Sequence, residues 1–168
     1  MLILVIVMVY ACDQAPEDDM ILIPKPNEFD RAELLTNSAD NIIIPALEKL
    51  STELMSLKTV ADNFAMDPNQ TNLDNLRSSW LSAYTVWQHV EMFNIGLAEE
   101  INYSFQMNIY PSNVSDIEAN VVSGSYDLEH PNNNDAVGFP AIDYLLYGVA
   151  SDDASILKKY TRDYVQNL

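Results

Sequence analysis

Apolar residues recur at steps of three and four through most of this chain. Between residues 29 and 64, Leu35, Ala39, Ile42, Ala46, Leu50, Leu54, Leu57, Ala61 and Phe64 mark one face of a long helix. Asp30, with Glu33 three residues later, has the pattern of a capping box at its start. Pro45 falls inside the stripe. It lacks a backbone donor and its ring crowds the preceding turn, so a kink or break is predicted there. Asp67-Pro68-Asn69 reads as a turn. A second helix is predicted from Thr71 and Asp74, with Leu73, Leu76, Trp80, Ala83, Trp87 and Val90 forming a narrow seam against the first. Gly96 is the predicted stop.

Farther along, residues 101–113 show no clear period and are predicted as loop. Ser115 and Glu118 open a short helix that Gly124 closes, and the polar, Asn-rich residues 125–135 form a second loop. Pro140 suits the first turn of a helix whose apolar face is Ile142, Leu145, Leu146 and Val149. Asp152 or Asp153 caps a last helix, in which Ile156, Leu157, Tyr160, Tyr164, Val165 and Leu168 keep helical spacing to the final residue. No strand alternation runs over a usable length. The predicted fold class is all-α, an antiparallel helical bundle with two long loops.

The two ends differ from this middle. Residues 1–11, MLILVIVMVYA, are an apolar run of signal-peptide length, too short for the ~18 or more residues of a spanning helix. The only cysteine, Cys12, follows directly, and Val9-Tyr10-Ala11-Cys12 looks like a lipobox, in which the cysteine is acylated. Residues 12–27 carry Asp13, Glu17, Asp18, Asp19, Pro16, Pro24 and Pro26 and read as a lipidated tether, leaving residues 28–168 as the helical domain. The competing reading is a buried first helix with Cys12 in its core. Because the last helix has no stop signal, the domain is expected to continue beyond Leu168.

Composition narrows the partners. With 25 Asp+Glu against 8 Lys+Arg, the net charge of −17 excludes a phosphate-tracking nucleic-acid binder and disfavours docking on anionic lipid. One cysteine excludes an internal disulfide. His89 lies off the seam as an exposed histidine. His130, with Asp127 and Glu129 nearby, lacks a recognised ligand spacing and reads as surface loop. Glu91 stands on the flank of the seam with Arg77 and Tyr84, at intervals of seven. It is either a ligand or half of an ion pair. Asp143, Tyr144 and Tyr147 form a polar-aromatic face that can line a pocket, although an acidic residue near a helix start is also stabilised by the dipole. No nucleophile elbow, phosphate loop, dinucleotide fingerprint or zincin motif is present.

Several of these residues together resemble the imelysin family. Trp80 and Trp87 on one helix, followed by Glu91, Phe93 and Gly96, look like its tryptophan-rich helix. Tyr110-Pro111 stands where that family often has Trp-Pro. Residues 138–148, GFPAIDYLLYG, look like its signature, G-x-H-x-x-E followed by Y-L-L-F/Y-G. The resemblance implies the first bundle of an all-helical two-bundle protein, with the site between the bundles. It also implies a bacterial cell-envelope location, in the periplasm or at the outer membrane, often as a lipoprotein. Some members are classed as metallopeptidases and others are linked to iron uptake.

The signature is degenerate here. Its histidine aligns with Pro140, which has no donor for a metal, and its glutamate with Asp143. The resemblance therefore implies a binding protein associated with the acquisition of iron or another metal, without an intact peptidase motif. The alternatives are an imelysin-type metallopeptidase and a structural, partner-binding helical lipoprotein. Candidate ligand-binding residues are Glu91, Asp143, Tyr144 and Tyr147. Glu91 and Asp143 are the candidates for a divalent cation or iron. Expected partners are a membrane, through the lipid on Cys12, iron-uptake or other envelope proteins, and a second bundle in the same protein.

Overall fold

The computed structural model describes residues 30–161. The predicted leader, Cys12 and the predicted tether therefore lie outside the described residues, as do Tyr164, Val165 and Leu168. The chain divides into two compact units, residues 1–36 and 37–168. Of the first, residues 30–36 are described, and they open helix α1 (Arg31–Ser38). Asp30 caps it as the sequence predicts: Oδ1 accepts from the N–H groups of Ala32 and Glu33 at 2.9 and 3.0 Å.

In the second unit the predicted disturbance at Pro45 takes the form of a π-helical turn, Ala39–Ile43, followed by α2 (Ile44–Met66). The Ile44 N–H bonds the carbonyl of Ala39, five residues back. Widening the turn ahead of the proline keeps the chain helical where an ordinary turn would meet the pyrrolidine ring. Helix α3 (Gln70–Val90) returns antiparallel after the Asp67-Pro68 turn. It starts one residue before Thr71, because Asn69 is the cap and its side chain accepts from Asn72 N at 2.9 Å. The short helix α4 (Leu97–Glu100) precedes the predicted first loop, and α5 (Tyr103–Met107) lies within it. Val90 ends α3, and Gly96, at φ +59, begins α4 instead of closing the long helix.

Helix α6 (Val114–Ser123) is capped by Asn113 and closed by Gly124 in the left-handed conformation. A 3-10 turn, Pro131–Ala136, lies inside the predicted polar loop. It leads to α7 (Gly138–Asp143), a π turn at Tyr144–Gly148, and α8 (Asp153–Lys159), which Asp152 caps. Among the described residues there is no strand, and the domain is all-α.

Helices α2 and α3 form the main packed pair. Leu50, Leu57 and Phe64 of α2 meet Leu73, Leu76, Ala83, Val86 and Val90 of α3 in one core. Each such side chain stabilises the fold by roughly 1.5–3 kcal/mol through removal from water. The signature segment and α8 close this core: Phe139 and Leu146 of the first, then Val149, Ile156 and Tyr160 after it, are all buried in it. The Tyr160 ring meets Phe64 edge-on at 4.8 Å, and its hydroxyl donates to Leu145 O at 2.7 Å. The N-terminal part of the predicted stripe is not covered. Leu35 and Ile42 are exposed, whereas the same stripe is buried from Leu50 onward. No helix among the described residues is long and apolar enough to cross a membrane.

Candidate functional site

The site begins with two glycines that fix the signature segment. Gly138 lies at φ +75, and a Cβ there would run into the backbone carbonyls of Gln106 and Met107. The end of α5 thus passes against the start of α7 at a distance that only glycine permits. At Gly148 a Cβ would meet the Tyr144 ring at 2.5 Å. The π turn Tyr144–Gly148 continues the helix beyond Asp143 with a widened turn.

These constraints leave a recess of about 490 Å³ between α3, α7 and the loop after α5. Its wall is aromatic: Trp80, Tyr84, Tyr110, Phe139, Tyr144 and Tyr147. Trp80 stacks on Tyr84 at 5.4 Å and meets Tyr147 edge-on at 6.3 Å. The Trp80 indole donates to Phe139 O at 3.1 Å, which ties α3 to α7. Asn108, Ser112, Pro140, Asp143 and Gly148 complete the lining. A predominantly apolar concavity with a few polar groups is the usual form of a small-molecule site.

The sequence places both tryptophans on the α2–α3 seam, and the structure corrects this for Trp80. Trp80 turns toward α7 and is half-buried, while Trp87 is buried against Phe139 and Tyr103. The indole N–H of Trp87 has no hydrogen-bond partner.

Among the described residues, Asp143 is the sole Asp, Glu, Lys, Arg or His on the recess wall. It makes no hydrogen bond or ion pair with the described residues, and partial desolvation raises its pKa above the ordinary value. Tyr144 donates to Glu118 Oε1 at 2.7 Å, and Lys159 Nζ lies 3.7 Å from that oxygen. Desolvation, with the Glu118 carboxylate second, pushes the Tyr144 hydroxyl up to about 12, so it remains a neutral donor. Behind Tyr147, outside the recess lining, the Arg77 guanidinium lies 4.5 Å over the ring. It also binds Leu146 O and Asp153.

Three of the four residues predicted to bind ligand, Asp143, Tyr144 and Tyr147, therefore share one wall. Glu91 does not join them. It is exposed at the C-terminus of α3 and lines a separate apolar recess of about 250 Å³ with Ile43, Leu47, Trp87 and Phe93. No residue is common to the two walls. Asp143 also sits at the end of α7 proper rather than in a first turn, so the helix dipole does not account for it. The other candidates have local duties. His89 Nδ1 lies 2.8 Å from Thr85 O, and His130 Nδ1 accepts from Asn132 N at the start of the 3-10 turn.

The donors present do not suit a transition metal. Among the described residues no group of three His, Cys, Asp or Glu is placed to hold an ion. The recess offers one carboxylate, an amide and hydroxyls, which are hard oxygen donors. Asn108, Ser112 and Glu118 were missed as site residues in the sequence reading. They lie in a loop or on another helix, and no spacing relates them to the signature.

The fold and this recess define a helical-bundle domain with an aromatic recess beside a π-interrupted helix. Residues 43–168 match the family model described as Imelysin, and the chain belongs to the imelysin family. Comparisons with curated proteins and with solved structures gave no match.

Proposed function

We propose that this chain is an imelysin-family binding protein of the bacterial cell envelope, anchored through lipid on Cys12, that serves the acquisition of iron or another metal and is not a metallopeptidase. One observation supports it above the rest. Pro140 and Asp143, which stand where the signature has histidine and glutamate, both line the aromatic recess. The family's signature wall is retained as a ligand-binding surface, and its metal ligands are not. Capture by this wall depends on ring contacts and on Asp143, with Tyr144 held as a neutral donor by Glu118. A single carboxylate is too few donors for a bare transition metal. The part proposed in acquisition is therefore recognition of an organic ligand. Gly138 and Gly148 keep the wall in place through close packing.

The test has two arms. Peptide hydrolysis by the full chain, assayed with and without a chelator, is expected to show no chelator-sensitive activity. Such activity, lost in Asp143→Asn, would overturn the reading in favour of a peptidase. In cells, the wild type is expected in the membrane fraction carrying a lipid label, and Cys12→Ala in the soluble fraction or as an unprocessed precursor. Membrane association unchanged by the substitution, with no label on the wild type, would remove the anchor.

A further inference from the structure

We propose that the aromatic recess is a site for a small organic ammonium ion, with Asp143 as its counter-charge and the rings of Trp80, Tyr84, Tyr110 and Tyr147 as its cage. The proposal rests on the reading that this recess is the ligand site, and it adds the ligand's chemical class.

Three features lead to it. The first is the wall itself. Ring faces attract cations, Trp most strongly, and a set of rings around one concavity suits an ammonium bearing methyl or methylene groups better than a bare, strongly hydrated ion. The second is Asp143. It lines this wall without any hydrogen bond or ion pair from the described residues, so among these its charge is uncompensated. An incoming cation would satisfy it and would bring apolar surface onto the rings. The third is the charge around the site. Among the described residues, no Lys, Arg or His lines the recess. Arg77, behind Tyr147, is neutralised by paired contacts of 2.9 and 2.8 Å to Asp153. Lys159 lies beside Glu118 on the far side of Tyr144. At −17 overall, the chain attracts cations over long range.

An anionic or neutral ligand gains less. An anion meets Asp143 with no compensating donor charge. A neutral ligand of the same shape keeps the ring contacts but leaves the carboxylate unpaired. The volume of about 490 Å³ falls within the ordinary range for small-molecule sites, ~300–1,000 Å³.

The experiment titrates the full chain with choline and, separately, with its uncharged isostere 3,3-dimethylbutan-1-ol. The readout is the Trp80 indole N–H resonance, distinguished from that of Trp87 with Trp87→Phe. Saturable shifts with choline are expected, with binding about tenfold weaker or more for the neutral isostere and for Asp143→Asn. Tyr110→Ala, at a position 87% exposed and remote from the core, is expected to weaken choline several-fold without loss of helical circular dichroism. Equal binding of the two probes would overturn the proposal, as would full choline affinity in Asp143→Asn. Silence toward both would overturn it too. If an uncharged aromatic probe such as phenol then shifted Trp80 in the same sample, the recess would stand as an organic-ligand site and the ammonium class alone would fall.

Discussion

Arg77 and Asp153, 76 residues apart, meet through two parallel contacts: Nη1 to Oδ2 at 2.9 Å and Nη2 to Oδ1 at 2.8 Å. The same guanidinium donates to Leu146 O from Nε and Nη2 at 3.3 and 2.8 Å. One side chain on α3 thus secures both the end of the π turn and the start of α8. Arg77→Ala is expected to cost ~2–3 kcal/mol, because it removes a paired charge and leaves a carbonyl without its donor. Arg77→Lys should recover only part of this, since an ammonium cannot span both oxygens and the carbonyl in one plane. Urea denaturation measures both. The hydrogen bond from Arg77 holds Asp153 below its ordinary value of 3.8, with Gln70 adding to the effect. The folded carboxylate thus releases its proton more readily than the unfolded one. Its stabilisation is fully present above pH ~3.8 and is lost as pH falls through the lower folded value. The stability gap between wild type and Asp153→Asn should close in that window. A gap that persists unchanged to pH 2 would contradict it.

Two glycines at positive φ separate backbone conformation from close approach. Gly96, at φ +59, has open space where a Cβ would sit. Gly96→Ala is expected to cost ~1–3 kcal/mol, the backbone strain alone of a φ +59, ψ −129 conformation that residues with a Cβ rarely adopt. Gly138→Ala adds collision with the Gln106 and Met107 carbonyls, so its cost should exceed ~3 kcal/mol. Equal costs in chemical denaturation would show that α5 gives way easily.

The tryptophans should differ in the same assay. Trp87 is 3% exposed, and Trp87→Ala is expected to cost ~3–5 kcal/mol. Half-buried Trp80 should cost less, about 1–3 kcal/mol, and its loss should alter the recess. The reverse order would mean that the recess wall, not the α2–α3 pair, dominates stability.

Asp143 gives the opposite pH sign to Asp153. Desolvation raises its pKa in the folded state above the ordinary 3.8, so ionised Asp143 is a penalty to folding. The penalty is full above the raised value and disappears as pH falls toward 3.8. Asp143→Asn should therefore be slightly more stable than wild type near neutrality, by well under ~1 kcal/mol because solvent screens the carboxylate. The difference should shrink below pH ~4. Paired stability curves across pH 3–7 check this; a neutral-pH loss in the variant would reveal a partner that stabilises the charge.

Restoring the signature tests what the recess wall can hold. Pro140 and Asp143 line the same cavity from one helical turn. The double variant Pro140→His, Asp143→Glu should bind zinc measurably more tightly than wild type by calorimetry, since imidazole and carboxylate then share that face. No gain would show that restoring these two side chains does not restore a metal site on this wall.

Sequence periodicity determined the helices because a 3.6-residue repeat of Leu, Val and Phe is a local property. Leu50, Leu57 and Phe64, and Leu73, Leu76 and Val90, bury as their spacing requires. Pro45 likewise announces its own disturbance, and the signature residues carry the family. Helix starts were less legible, since Asn69 and Asn113 compete locally with nearby Thr71 and Ser115 and win as caps. Tertiary packing decided the rest. Trp80 and Trp87 share a heptad position, yet only the approach of α7 and α5 turns the first into recess wall and the second into core. Glu91 and Asp143 both read as candidate ligands, and their assignment to separate recesses depends on where α3 stops and on the packing of α7 against α3. The pairing of Arg77 with Asp153, and of Tyr144 with Glu118, joins residues 76 and 26 apart. No local pattern encodes such pairs, because they form only after the helices have buried their apolar faces.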